Sequence, residues 1–285
     1  MVQVAVMGMG LMGSPMVTNL ASNGVEVIAY NRSIEKLEPL QSQGIKVTQN
    51  SQEAIVFADC IILMLSDYNA IQEVVINQDL SLKNKTIIQM GTIAPDQSQQ
   101  LLATIKDRGG EYLEAPVLGS IPEVKSGKLL VMLGSTKPQF EQWQYLLKYF
   151  SPQPLLVGEV GKAAALKLAL NQMIAGLTST FALSLSFIQS QEVDIEIFMN
   201  ILRDSALYAP TFDKKLTRMC DRNFANPNFP SKHLLKDIQL FLASAQKDNL
   251  NTEGLKGIET IVTQTVKNNL ADSDYSALIE SINQN

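Results

Sequence analysis

The chain has 285 residues, 46% of them hydrophobic and 18% charged, which is material for two cores and excludes a disordered segment. Its 23 Lys and Arg against 28 Asp and Glu leave a net charge of -5, which excludes a broad basic footprint for nucleic acid or anionic lipid. Two cysteines, Cys60 and Cys220, and a single His233 exclude a disulfide framework, a metal-ligand cluster and a well-supported Cys-His or Ser-His nucleophile.

With only two cysteines, a reducing cytoplasm is the expected compartment. No charged n-region with an apolar signal run opens the sequence; the first segment, Val2 to Met7, already reads as a strand. It is followed by Val25 to Tyr30, Ile61 to Leu65, Thr86 to Met90, Leu129 to Leu133 and Leu155 to Val157, most of them apolar nearly throughout, as strands covered on both faces are. Between them lie segments of helical periodicity, "SPMVTNLASNG", "SQEAIVFAD", "YNAIQEVV" and "APDQSQQLLATIKDRGG". This alternation predicts a mostly parallel α/β domain over residues 1–160. From 161 to 285 no strand is predicted, and helices are expected at about 162–190, 192–204, 210–220, 231–247, 251–269 and 273–283. The second domain is therefore all-helical. Its long first helix is interrupted by Asn171, Gln172, Thr178, Ser179, Thr180, Ser184 and Ser186, so it reads as a helix buried in protein and no membrane association is expected.

Gly8, Gly10 and Gly13 form G-x-G-x-x-G directly after the first strand and at the opening of a helix, the context in which the motif signifies dinucleotide binding. Gly8 permits the tight turn, Gly10 lets backbone approach a pyrophosphate, and Gly13 allows close packing of helix on strand, with Met9, Leu11 and Met12 supplying the amides between them. The first domain is thus expected to be of Rossmann type. After the second strand the chain reads Asn31-Arg32-Ser33, with no carboxylate for ribose hydroxyls; Arg32 can pair with a 2'-phosphate, helped by Asn31 and Ser33, which favours NADP, and its other reading is a solvated turn residue. Met64 and Leu65 end one strand and Thr92 follows another, at the carboxyl edge of the sheet where ligands sit. Met64 reads equally as core filler, whereas the Thr92 hydroxyl can cap the helix that begins near Pro95 and still face the cleft.

In the apolar stretch Val160 to Phe187, Lys167 and Asn171 stand at i and i+4 and share a face, with the small Ala163 and Ala164 one turn earlier. Alone, such a lysine is often a snorkelling residue. With a hydride-transfer cofactor, the chemistry asks for a group that protonates or stabilises a carbonyl oxygen, and Lys167 is placed for it, with Asn171 to hold the substrate or orient the lysine.

These motifs resemble the β-hydroxyacid dehydrogenase family, which includes 3-hydroxyisobutyrate dehydrogenase, tartronate semialdehyde reductase and the glyoxylate and succinic semialdehyde reductases. "GMGLMGSPMVTNLASNGVEVIAYNRS" is similar to its amino-terminal fingerprint, "EAPVLGSIPEVKSGKLLVMLGS" to its substrate segment, "GEVGKAAALKLALNQM" to its catalytic helix and "FPSKHLLKDIQLFLASA" to a later helix over cofactor and substrate. The resemblance implies a catalytic Lys167 and Asn171, cofactor contacts from Thr92 and Lys236, and Asp237 beside the substrate. Arg32 and the Leu170-Asn171 pair are similar to the NADP-preferring glyoxylate and succinic semialdehyde branch. Two positions depart from the usual family pattern: many members carry two adjacent asparagines where this chain has Leu170-Asn171, and the usual Ala-Pro-Val-Ser-Gly is here Ala115-Pro116-Val117-Leu118-Gly119-Ser120, so substrate carboxylate binding would fall to the amides of Leu118 and Gly119 and to the Ser120 hydroxyl. The implied activity is NADPH-dependent reduction of a small aldehyde acid, or oxidation of a 3-hydroxy acid, by a homo-oligomer, dimer or tetramer. The alternatives are reduction of an imine or more apolar ketone, and a cofactor-binding protein with little turnover.

Overall fold

The computed structural model of the chain describes residues 2–283. The chain divides into two compact units, with the boundary between Lys167 and Leu168. The first unit contains, in order, β1 (Gln3–Met7), α1 (Gly13–Ser22), β2 (Glu26–Tyr30), α2 (Glu38–Gln41), β3 (Lys46–Thr48), α3 (Ser51–Phe57), β4 (Cys60–Leu63), α4 (Tyr68–Ile71) and β5 (Thr86–Gln89). It continues with α5 (Pro95–Asp107), β6 (Glu111–Glu114), β7 (Val117–Leu118), α6 (Ile121–Lys125), β8 (Leu130–Gly134), α7 (Lys137–Leu147) and β9 (Leu155–Gly158).

The strands lie in the order β3-β2-β1-β4-β5-β6-β8, with β7 and β9 also paired to β8. All pairs from β3 to β6 are parallel; β8 runs antiparallel to β6, and β9 parallel to β8. Alternate residues of the apolar strands feed opposite faces. Val4, Val6, Cys60, Ile62 and Ile88 join one buried cluster, while Ala5, Met7, Ile61, Leu63 and Ile87 join the other. This two-sided burial is why these strands read as continuous apolar runs. The strand order reverses between β1 and β4, which opens the crevice at the carboxyl ends where ligands sit in such sheets.

Three strands escaped prediction. β3 has three residues, one exposed; β6 begins and ends in glutamate; and β7 has two residues, too few for periodicity.

Helix α8 (Lys162–Ser190) begins in the first unit and continues through the second, which also holds α9 (Ile195–Arg203), α10 (Pro210–Cys220), α11 (Ser231–Lys247), α12 (Glu253–Thr265) and α13 (Ile279–Ile282). Among the described residues this unit has no strand, as its sequence pattern predicts. Its core gathers Ala175, Phe181, Ala182 and Leu185 of α8 around Met199, Phe212, Met219, Leu234, Ile238 and Val262, with the Phe181 and Phe212 rings stacked at 4.8 Å. The helix expected over 251–269 ends at Thr265 and unwinds through a wide turn, Val266–Leu270, in which Asn269 takes a positive φ of 64°, a conformation asparagine tolerates. The segment expected as helix 273–283 starts as a tight turn, Tyr275–Leu278, capped by the Asp274 carboxylate on the Ser276 amide. By length and mean hydropathy (1.3), α8 would pass for a bilayer span, which the sequence reading did not grant it. In this fold its apolar residues Ala175, Phe181, Ala182 and Leu185 serve as core.

Candidate active site

The glycine loop after β1 is shaped by close approach. Gly8 has φ 107°, and a Cβ there would lie 2.3 Å from the Met64 carbonyl oxygen; one on Gly13 would lie 1.9 Å from that of Gly8. Around Gly10 a Cβ would meet nothing within 4 Å, so its backbone faces open space. The Gly8 amide donates to the Tyr30 carbonyl at 2.9 Å, tying the loop to β2. Helix α1 then starts at Gly13 without a side-chain cap; Ser14 donates its amide to the Gly10 carbonyl at 3.3 Å and Pro15 has none, so the donors an anion can use are the Gly13 amide and those of the loop before it.

Asn31 has a task the sequence did not reveal. Its carbonyl oxygen accepts from the Met9 amide at 3.1 Å and its amide donates to the Ser33 carbonyl at 3.0 Å, so it braces the glycine loop against the β2 turn instead of reaching outward. Arg32 is exposed, and Ser33 is half-buried. Met64, partly buried, packs against one sheet-face cluster and Leu65 against the other.

Thr92 does not occupy the cap of α5. That position is Ala94, whose amide donates to the Gln97 side chain at 2.9 Å, with Pro95 as the first helical residue. Thr92 instead lines a small cleft with Gln89, Gly91, Ile93, Glu114, Pro116, Ala164 and Lys167, all in the first unit. Lys167 is 9% exposed.

Glu114, at the end of β6, was not singled out from the sequence. It is 2% exposed, and one of its oxygens accepts from the amides of Gly161, Ala163 and Ala164 at 2.8, 2.9 and 3.0 Å. Ser98 of α5 donates its hydroxyl to the other oxygen and contacts the Tyr112 hydroxyl at 2.7 Å. Burial pushes the Glu114 carboxyl above the usual carboxylate range, against the pull of these hydrogen bonds. The only sequence signal for it is a carboxylate set directly after the apolar Tyr112-Leu113.

The segment after β6 departs from expectation at Ser120. Both its amide and its hydroxyl donate to the Glu123 carboxylate, at 2.8 and 2.7 Å, making Ser120 the cap of α6. Leu118 is half-buried in β7 opposite Leu130, and Gly119 has φ 134° with room for a Cβ denied by Leu129, 2.7 Å away.

In the second unit, Asn171 is 3% exposed and donates its amide to Asp237 at 2.6 Å, while its carbonyl oxygen is buried without a hydrogen-bond partner. Asp237 is also 3.0 Å from the Lys236 ammonium. Sequence positions 171, 236 and 237 thus form one polar cluster. His233 stacks near Phe229, with ring centroids 6.4 Å apart; burial, then Lys236 and Lys232, hold its pKa below the ordinary histidine value. No group of His, Cys, Asp or Glu suited to a metal occurs among the described residues.

The glycine loop, the reversal of strand order beside it and the helical second unit have a counterpart among known proteins. Residues 3–158, more than half of the chain, match the NAD binding domain of 6-phosphogluconate dehydrogenase. The chain belongs to this family of NAD(P)-dependent oxidoreductases. The rest follows the family too: residues 161–282 match the NAD-binding domain of NADP-dependent 3-hydroxyisobutyrate dehydrogenase. A glyoxylate/succinic semialdehyde reductase of Arabidopsis thaliana is 28% identical over 285 residues, covering 99% of this chain and 79% of that protein. Among solved structures, Mycobacterium tuberculosis 3-hydroxyisobutyrate dehydrogenase superposes with a TM-score of 0.88 at 19% identity, covering 99% of each chain. An imine reductase from Myxococcus stipitatus shares the fold at a TM-score of 0.68 and 20% identity, covering 98% of this chain and 99% of that one.

Proposed function

We propose that this protein is a cytoplasmic, NADPH-dependent reductase of a small aldehyde acid of the glyoxylate or succinic semialdehyde type, or in reverse an NADP-dependent dehydrogenase of a 3-hydroxy acid. The observation that carries this reading is Lys167: a nearly buried lysine lining a small cleft at the carboxyl edge of an NAD(P)-binding sheet, one helical turn ahead of Asn171. The chain's residues fit the cofactor. The open backbone at Gly10 and the uncapped start of α1 suit a pyrophosphate, the exposed Arg32 suits a 2'-phosphate, and the unpartnered Asn171 oxygen invites a donor.

When bound, NADPH supplies the hydride. Lys167 holds the proton that the carbonyl oxygen receives and stabilises charge building on that oxygen. Asn171, oriented by Asp237, positions the substrate oxygen. The amides of Leu118 and Gly119 hold the substrate carboxylate. A panel of aldehyde acids, hydroxy acids, uncharged ketones and imines, assayed with each nicotinamide cofactor, tests the reading alongside Lys167→Ala. That variant should lose about 10²-fold or more in kcat while NADPH binding changes little. Unchanged kcat in a folded variant, with chemistry rate-limiting, would refute the role of Lys167.

A second reading, reduction of an imine or a more apolar ketone, is favoured by one observation. Leu118 replaces a hydroxyl with apolar surface, and Ser120 has both its amide and its hydroxyl committed to Glu123. Turnover of imines above that of every acid in the panel would select it.

A further inference from the structure

We propose that Glu114 is a positioning residue for Lys167: its carboxylate, held by Ser98, anchors the first turn of α8 to the sheet and thereby places the lysine in the cleft. The inference rests on the role given to Lys167 above.

A helix start leaves its first amides without intrahelical acceptors, and they are ordinarily capped by a residue just ahead in the chain. Here the acceptor comes from 47 to 50 positions away, a single oxygen that takes the amides of Gly161, Ala163 and Ala164 together. Lys167 follows Ala164 by three residues, so the clamped turn is the one on which the lysine side chain stacks. Glu114, Ala164 and Lys167 line the same cleft. The surroundings are built for this carboxylate. Opposite it in the sheet stands Gly134, where a Cβ would lie 2.3 Å from the accepting oxygen. Gly161 has φ 100°, and a Cβ there would lie 2.9 Å from the Gln99 side chain. Ser98, itself fully buried, fastens the second oxygen to α5. The positive end of the helix favours a negative group at this point.

A clamp of this kind acts through its acceptor oxygen, which glutamine retains and leucine does not. Full-length Glu114→Leu, Glu114→Gln and Ser98→Ala are compared with wild type for NADPH affinity, kcat, KM and amide hydrogen exchange over residues 161–167. For Glu114→Leu we expect exchange in this segment to quicken and kcat to fall by about 10²-fold, as misplacement of a reacting group does, with NADPH affinity and KM within about threefold. Glu114→Gln should restore both exchange and kcat to within about fivefold of wild type, and Ser98→Ala should give a smaller loss in the same direction. The proposal is overturned if Glu114→Leu keeps wild-type kcat, if kcat falls with exchange unchanged, if kcat and NADPH affinity fall together, or if glutamine is no better than leucine. Should Glu114→Leu fail to fold, Ser98→Ala and Glu114→Gln carry the same comparison: wild-type exchange and kcat in Ser98→Ala, or loss of kcat in Glu114→Gln, overturns it. Lys167→Ala measured in parallel separates the two ideas. Wild-type turnover in that variant removes the function assigned to the lysine, while the exchange data still decide whether Glu114 holds the turn.

Discussion

At the scale of single residues, a side chain's chemistry is readable from its letter, but its task depends on what it meets. Arg32 is exposed after β2, which suits both a phosphate contact and a solvated turn residue, whereas its neighbour Asn31 braces Met9 and Ser33. On the phosphate reading, Arg32→Asp should swing the ratio of kcat/KM from NADPH toward NADH; equal efficiency with both cofactors in the wild type would remove the assignment. Leu118 carries the question of substrate. Leu118→Ser should add one hydrogen bond to a charged oxygen, worth about 1.5 to 3 kcal/mol, and lower KM for glyoxylate or succinic semialdehyde about tenfold or more. The same change should weaken a substrate whose apolar part rests on the leucine. Steady-state kinetics on one acid and one uncharged carbonyl compound decide this, and no movement on either would mean that Leu118 serves only the packing of β7.

At the scale of elements, the second unit is tied together by a pair that periodicity does not show. Lys215 of α10 reaches both oxygens of Asp274 at 2.8 and 2.9 Å, with the lysine side chain 7% and the aspartate 0% exposed, and the ammonium lies 4.1 Å from the centre of the Tyr275 ring. Burial raises the Asp274 carboxyl, but Lys215 and the hydrogen bonds from Ser276 outweigh it and hold the pKa below the usual aspartate value. A carboxyl whose folded pKa is depressed contributes stability that is fully present above its unfolded pKa of about 3.9 and lost as pH falls through the folded value. Lys215→Met leaves a buried charge without its partner and should cost about 3 to 5 kcal/mol at pH 7. Urea unfolding at pH 7 and pH 3 should show the gap between the two pH values narrower in the variant than in the wild type. An unchanged gap would mean that acid sensitivity arises elsewhere.

At the scale of the whole molecule, the second unit leaves much apolar surface uncovered. Met173, Leu183 and Phe187 on α8 are 53%, 61% and 62% exposed, Val193 in the following turn 41%, Ile197 and Ile201 on α9 58% and 68%, and Leu207 beyond it 78%. Large apolar side chains left in water on neighbouring elements are the kind of surface that a protein partner covers. This surface supports the proposal of a homo-oligomer. Light scattering of the wild type should give a dimer or tetramer, and the double variant Phe187→Glu, Ile201→Glu should shift it toward monomer; a monomeric wild type would refute the proposal.

What the sequence determines by itself is whatever short-range physics encodes. Strands buried on both faces must be apolar throughout, amphipathic helices must repeat every 3.6 residues, and Gly8, Gly10 and Gly13 must stand between a strand and a helix; from these the parallel sheet, the helical second unit and the dinucleotide loop are all legible. The tertiary structure alone decides the pairings. Glu114 meets the start of α8 across 47 positions, Lys215 meets Asp274 across 59, and Asn171 meets Asp237 across 66. It also decides that β3, β6 and β7 are strands, since pieces so short or so charged acquire their conformation from neighbours already in place. The reason is common to all of them: a polar group's role is set by the partner within hydrogen-bond reach, and chain folding, not local pattern, selects that partner.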